Sequence, residues 1–457
     1  MAVSQDMTAG SPRRLMTRFA LPILMSYVFQ QLYSVADGFV VGRLIGVDAL
    51  ASVGATGFYS WMVLSVIIGF TQGFGVMFAT CFGAKDEDGI RKAILASIWL
   101  CAAIGAALTA LGMLLAPAVL KAVNTPPELM ESALAYLNWI LGGTLVSIGY
   151  NLIASILRSF GNSRTPLVAV VISGLLSLAL NFIVVGLLGM GVAAVAMTTV
   201  IAQAFSLFYC LWALRGEKER LFAKGRLTPD RAALFGLLRL GAPVALRNGV
   251  ISTGGLLVQN AINQYGTLVV AGIAAAGRYF GLMEMVCAGL EGAVATFVGQ
   301  NAGQNNLPRI REGIRFARQA GLVASVIILT AVTLLARPLI GFLISASDPL
   351  RQAGVLDAGQ RALTAMAVCL PALYMLCIHR AAAQGMGNAL FPMLTGFVEL
   401  AFRVLCVFTA RWLGVWPVYF ANGAGWIGAM ILICIAWAWI VRVRKREITR
   451  LTNAKTV

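Results

Sequence analysis

The run TPLVAVVISGLLSLALNFIVVGLLGMGVAAVAMTTVIAQAFSLFYCLWAL, residues 165–214, contains no Asp, Glu, Lys or Arg. At 50 residues it is too long for one helical membrane crossing, which takes about 20 apolar residues. Gly189-Met190-Gly191 supplies a turn near its middle, so the run reads as two spans. It is apolar on all faces, whereas a transmembrane strand alternates polar and apolar residues over about 10 positions. The reading is therefore helical, and it extends outward in both directions.

Upstream, Leu50–Ala84, Ala93–Leu120 and Ser132–Leu157 are equally free of charge, and a first span carries Phe19 to Val41. Downstream, Leu240–Gly266, Thr267–Ala302, Gln319–Ile344, Ala362–Ile378, Ala389–Ala410 and Gly423–Val441 supply six more. Together they predict an all-α integral membrane protein of twelve transmembrane helices. Composition agrees: 59% of residues are hydrophobic and 12% charged, against about 25% charged in soluble domains. The abundance of Gly and Ala suits close helix–helix approach within a bilayer.

The net charge of +17 is distributed by side. Six Lys or Arg residues fall on the odd-numbered connections (Arg43, Lys121, Arg337, Arg351, Arg361 and Arg411), while 26 fall on the termini and even-numbered connections. That is the positive-inside pattern, which places both termini in the cytoplasm and argues against nucleic acid as a partner. The basic segment 215–239 then reads as a cytoplasmic linker. All eight cysteines fall within spans, with no zinc-ligand spacing and no suggestion of a disulfide framework. The first span, preceded by Arg13, Arg14 and Arg18, is too long for a cleaved signal peptide.

The chain repeats itself at a period near 220 residues. Phe19-Ala20-Leu21-Pro22 is matched by Leu240-Gly241-Ala242-Pro243, and Ile45-Gly46 by Tyr265-Gly266. Phe82-Gly83-Ala84-Lys85 pairs with Ala302-Gly303-Gln304-Asn305, and Gly161-Asn162-Ser163-Arg164-Thr165-Pro166 with Gly387-Asn388-Ala389-Leu390-Phe391-Pro392. Six spans per half give both repeats the same orientation, an arrangement typical of transporters with their site between two bundles. The expected organisation is an N-terminal six-helix lobe over 1–214, the linker over 215–239, and a C-terminal six-helix lobe over 240–457.

Asp37 is the only charge between Phe19 and Val41. A carboxylate at such depth costs about 2.5–3.5 kcal/mol on insertion scales and usually faces a polar cavity. The bland alternative is an acid at the rim of a short span, snorkelling to water. Glu284 and Glu291, seven apart on the eighth span, share one helical face. Glu284 reads either as a carboxylate for a cationic substrate or as a structural partner of Arg278 or Arg247. Glu399 and Arg403 stand four apart and can pair. Gln259, Asn260 and Asn263 either line a cavity or bond neighbouring helices. His379, the sole histidine, reads as interfacial. Aromatic residues such as Tyr33, Tyr59, Trp61 and Tyr150 are candidates to stack on a planar cation, or belt anchors. With no paired carboxylates, no Cys/His metal spacing and no nucleophile beside a histidine base, an enzyme is not expected.

Asp37-Gly38-Phe39-Val40-Val41-Gly42-Arg43-Leu44-Ile45-Gly46, followed by Ala49-Leu50-Ala51, resembles the first-span signature of the multidrug and toxic compound extrusion family. Phe297-Val298-Gly299-Gln300-Asn301-Ala302-Gly303 resembles that family's motif at the end of the eighth span. The likeness implies a secondary antiporter that expels organic, often aromatic, cations across the cytoplasmic membrane in exchange for protons or sodium ions. It implies no cofactor beyond the coupling ion, and a two-lobe monomer suffices. It also implies a coupling-ion site of Asp37, an asparagine on the fifth helix (Asn181) and a threonine on the sixth (Thr199). The span residues Tyr33, Gln259, Asn260, Asn263 and Glu284, read above from their own chemistry, are the candidates for the substrate cavity. Many relatives carry a second acid one turn after the asparagine, and this chain has Val185 there. A hard cation wants several oxygen ligands, so the departure favours the proton. A lipid-linked oligosaccharide flippase of the same superfamily, or an exporter of an endogenous metabolite, is the alternative.

Overall fold

The computed structural model describes residues 5–123, 125–217, 229–343 and 349–456. Among these the chain is helical, with no strand. The first half comprises α1 (Pro12–Val40), α2 (Val47–Ala84), α3 (Glu87–Ala122), α4 (Pro127–Gly142), α5 (Thr144–Ser159), α6 (Arg164–Asn181) and α7 (Val192–Ala213). The second comprises α8 (Arg231–Asn263), α9 (Thr267–Gly303), α10 (Leu307–Leu343), α11 (Pro349–Val368), α12 (Leu370–Gly385), α13 (Leu390–Leu413) and α14 (Trp416–Thr456). Among the described residues ten helices are long and apolar enough to cross a membrane, and the bent pairs α4–α5 and α11–α12 each pass the same test when taken together. Counting each bent pair as one span gives twelve among the described residues, six in each half, the number that the charge-free runs predict.

The two bends were not expected. Each pair reads as one straight run in the sequence, yet α4–α5 turns by 42° and α11–α12 by 44°. Gly143 sits at the first break, where a missing side chain lets the helix kink. At the second, Pro371 lies in the first turn of α12, lacks an N–H and presses its ring on the preceding turn. Both breaks interrupt the fourth span of their half.

The repeat is also written in the backbone. Left-handed residues recur in pairs: Gly46 with Gly266, Lys85 with Asn305, Gly161 with Gly387, and Gly189 with Gly414. At Gly161 the N–H donates to the Arg158 carbonyl and the Asn162 N–H to that of Leu157. Gly387 and Asn388 repeat this with Gln384 and Ala383. Asn162 Oδ1 then accepts the Thr165 N–H at 3.1 Å, as Asn388 Oδ1 accepts the Phe391 N–H at 3.3 Å. A helix ended by a left-handed glycine and restarted by an asparagine cap is thus used identically twice.

The chain forms two compact units, one of Met1–Ala9 with Leu21–Ala245, the other of Gly10–Ala20 with Leu246–Val457. Of the basic linker expected over 215–239, residues 218–228 lie outside the described residues, and 231–239 belong to α8. The core of the first unit gathers Phe74, Phe78, Leu137, Leu141 and Phe160; that of the second gathers Tyr374, Leu370, Leu373 and Ile433. Large apolar side chains also cover the outside, Phe342 at 88% and Leu187 at 80% exposure. A water-soluble monomer does not carry so much bare apolar surface. One covalent feature departs from expectation: Cys287 of α9 and Cys377 of α12 form a disulfide. They lie 90 residues apart, so only the packing of α9 on α12 brings them together.

Candidate functional site

Asp37 stands near the end of α1, which widens directly afterwards into a π-turn over Val41–Ile45. Asn181 ends α6 and is followed by a second π-turn, Phe182–Leu187. The two π-turns touch. Such turns interrupt a helix at an energetic cost and cluster at functional sites.

Between these helices run two polar rungs. In the first, Asn181 Nδ2 donates to Asp37 Oδ1 at 2.5 Å, and Asn181 Oδ1 accepts from the Thr198 hydroxyl of α7. An ionised carboxylate only accepts, so the amide must turn its NH₂ to Asp37 and its oxygen to Thr198. The second rung lies one helical turn away. There the Tyr33 hydroxyl is 2.8 Å from Ser177 Oγ and 3.4 Å from Thr199 Oγ1. Tyr33 precedes Asp37 by four residues and Ser177 precedes Asn181 by four, so each pair shares a helix face. Asn181, Thr198 and Ser177 are fully buried, whereas Asp37, Tyr33 and Thr199 are half-buried. The carboxylate is held by protein on one side and accessible on the other.

The structure therefore brings Asp37, Asn181, Thr199 and Tyr33 into one cluster. Thr198, not Thr199, touches Asn181; Thr199 Oγ1 donates to the Val195 carbonyl at 2.9 Å and lies on the tyrosine rung. Ser177 and Thr198 went unnoticed in the sequence, although a four-residue step back from Asn181 reaches Ser177. Val185, at the place of the second acid, is buried with Val41, Ala49, Val192 and Val195. No oxygen enters from that position.

The C-terminal candidates do not form a comparable cluster. Gln259 Nε2 donates to Asn263 Oδ1 at 3.0 Å on the exposed face of α8, and Asn260 is exposed beside them. Glu284 is accessible and makes no ion pair among the described residues. Arg247, one of the two partners that the structural reading offered it, instead stands 3.5 Å from Glu291. Glu399 is paired with Arg403 as the spacing predicts, and also with Arg380 of α12, which the sequence did not link to it. Arg380 Nε donates to Thr395 Oγ1 at 2.7 Å, and Arg403 Nη1 to the Ile251 carbonyl at 2.9 Å. All three charged residues are buried. His379 is buried within the protein too, with Nδ1 2.7 Å from the Met375 carbonyl. Tyr59 is likewise a core residue, its hydroxyl donating to the Gly112 carbonyl at 3.0 Å.

Two repeated six-helix bundles with a half-buried acid on the first helix define a multi-pass membrane transporter. The chain belongs to the MatE family, whose model matches residues 22–183 and 243–409. Among curated relatives it is 27% identical over 418 residues to probable multidrug resistance protein NorM of Thermotoga maritima, covering 88% of each chain. It is 28% identical over 306 residues to probable multidrug resistance protein YpnP of Bacillus subtilis, covering 67% of this chain and 68% of that one. Among solved structures, a MOP superfamily transporter from Pyrococcus furiosus, described by the reverse polarity of its binding pocket, superposes with a TM-score of 0.88. That match spans 97% of this chain and 100% of the other at 21% identity.

Proposed function

We propose that this chain is a secondary antiporter that exports organic cations across the cytoplasmic membrane, driven by proton entry, with Asp37 as the coupling acid. Both termini face the cytoplasm in this reading, and a monomer suffices. The observation that carries it is the Asp37–Asn181–Thr198 rung, a single half-buried carboxylate whose one fixed partner is a neutral amide. A lone carboxylate holds one positive charge at a time. When the proton is bound, the charge that attracts an organic cation is gone; when the cation is bound, the proton is displaced. Exchange follows from this competition. Sodium needs several oxygen ligands, and the buried Val185 supports the proton instead. The multidrug resistance names of the relatives support an organic-cation cargo.

A second reading, export of an anionic or lipid-linked substrate or of a metabolite, draws on the excess of buried Arg247, Arg380 and Arg403 over Glu291 and Glu399. Efflux of ethidium from proteoliposomes, with proton and sodium gradients imposed separately, decides between them. Transport under the pH gradient alone, lost in Asp37→Asn, supports proton antiport. Transport under sodium alone, or unchanged in Asp37→Asn, overturns it, and no cation movement by folded protein redirects the search to lipid-linked substrates.

A further inference from the structure

Cys287 and Glu291 lie one turn apart on α9 and leave the same face of that helix. The face packs on α12, where Cys377 stands opposite, the cysteine Cα atoms 6.1 Å apart. Two sulfurs and a Glu291 carboxylate oxygen lie within 4.8 Å of one another. Both cysteines are buried, and so is Glu291 Oε1, which accepts no hydrogen bond. Its charged neighbour is Arg247, 3.5 Å away, whose facing Nη1 also lacks a hydrogen bond. This trio is remote in sequence from Asp37, and the transport reading makes no use of it.

Two thiolates and a carboxylate form a donor set for a thiophilic ion. Zinc binds cysteine sulfur at about 2.3 Å and carboxylate oxygen at about 2.0–2.2 Å. Across a tetrahedral centre such ligands stand roughly 3.5–4 Å apart, inside the span observed. Thiolate selects zinc and softer ions over magnesium or calcium. Charge sets the valence. Glu291 and Arg247 already cancel, so two thiolates add two negative charges, which a divalent ion neutralises and a monovalent ion does not. An uncompensated charge is expensive in a buried setting.

We propose that Cys287, Cys377 and Glu291, once the disulfide is reduced, bind one divalent thiophilic cation of the zinc–cadmium class, bridging α9 and α12. An external dithiol supplies the two electrons and two protons: the Cys287–Cys377 bond breaks, two thiols form, and the reductant leaves as its cyclic disulfide. The metal then forms two metal–sulfur bonds and releases both thiol protons to solvent. Three protein ligands leave the fourth position to water. The oxidised protein does not bind, because the thiolate is the ligand, so the site is gated by redox state.

The test uses the full chain in nanodiscs, divided into an oxidised portion and one reduced with dithiol and desalted anaerobically. Cadmium is titrated into both, reading the ultraviolet thiolate-to-cadmium charge-transfer band and bound metal by mass spectrometry. Reduced protein is expected to bind one cadmium per chain with the band, and oxidised protein to show none. The remaining cysteines (81, 101, 210, 369, 406 and 434) are free, so the difference between the two portions isolates the pair without any substitution. Cys287→Ser and Cys377→Ser abolish the band, and Glu291→Gln weakens binding at least tenfold. Equal bands in oxidised and reduced protein, no stoichiometric cadmium after reduction, or unchanged affinity in Glu291→Gln each overturn the proposal.

Discussion

Thr198 illustrates how one hydroxyl sets the state of a neighbour two helices away. Its contact with Asn181 Oδ1 fixes the amide, and the amide presents its N–H to Asp37. Thr198→Val keeps the shape and removes the donor, leaving a buried amide oxygen unpaired at about 1–3 kcal/mol. A lowered thermal midpoint and slowed ethidium efflux are expected, both larger than for Thr199→Val, whose hydroxyl reaches only the tyrosine rung and the Val195 carbonyl. Glu399 is the converse case, an acid whose loss strands two buried arginines. Breaking a buried ion pair from one side costs about 3–5 kcal/mol. Glu399→Gln is therefore expected to depress folded yield and chemical-denaturation midpoint, whatever its effect on transport. A midpoint equal to wild type contradicts this account of the cluster.

Helix pairing depends on small residues where backbones meet. Gly73 of α2 lies against the backbone of Gly241 of α8, and Gly69 against that of Ala245, so a Cβ at either position meets main chain that cannot rotate aside. Small residues at four-residue spacing permit this approach in a membrane. Gly73→Ala is expected to destabilise by about 1–3 kcal/mol, the usual cost of overpacking, read as a lower melting midpoint in detergent. Gly54→Ala on the same helix, where the added carbon meets nothing within 4 Å beyond the backbone of its own turn, serves as the silent control. The α2–α5 contact adds hydroxyls to this scheme: Ser155 and Ser159 Oγ donate to the Thr71 and Gly75 carbonyls at 2.8 Å. The spans were legible as apolar runs, but neither the partner of each glycine nor the 42° and 44° bends could be read from them. Apolarity says that a segment enters the bilayer; it does not say which face meets which neighbour.

For the molecule as a whole, the proposed exchange of one proton for one monovalent organic cation moves no net charge. The membrane potential then contributes nothing, although it is worth about 2.3 kcal/mol per charge at 100 mV. A pH difference contributes about 1.4 kcal/mol, or tenfold accumulation, per unit. Clamping the potential in proteoliposomes is expected to leave ethidium efflux unchanged while each pH unit shifts the limiting gradient about tenfold; a voltage-dependent limit requires more protons per cycle. The membrane class, the twelve spans, the duplication and the place of Asp37 as the one charge of the first span were present in the linear chain, because solvation by lipid acts on each segment separately and a repeated fold repeats its turns. The pairing of Arg380 with Glu399, the burial of His379, the choice of Thr198 over Thr199 and the meeting of Cys287 with Cys377 came from the packed bundles alone. Each of these joins residues on different helices, and such a contact depends on helix rotation and register, which hydropathy leaves free and side-chain packing sets.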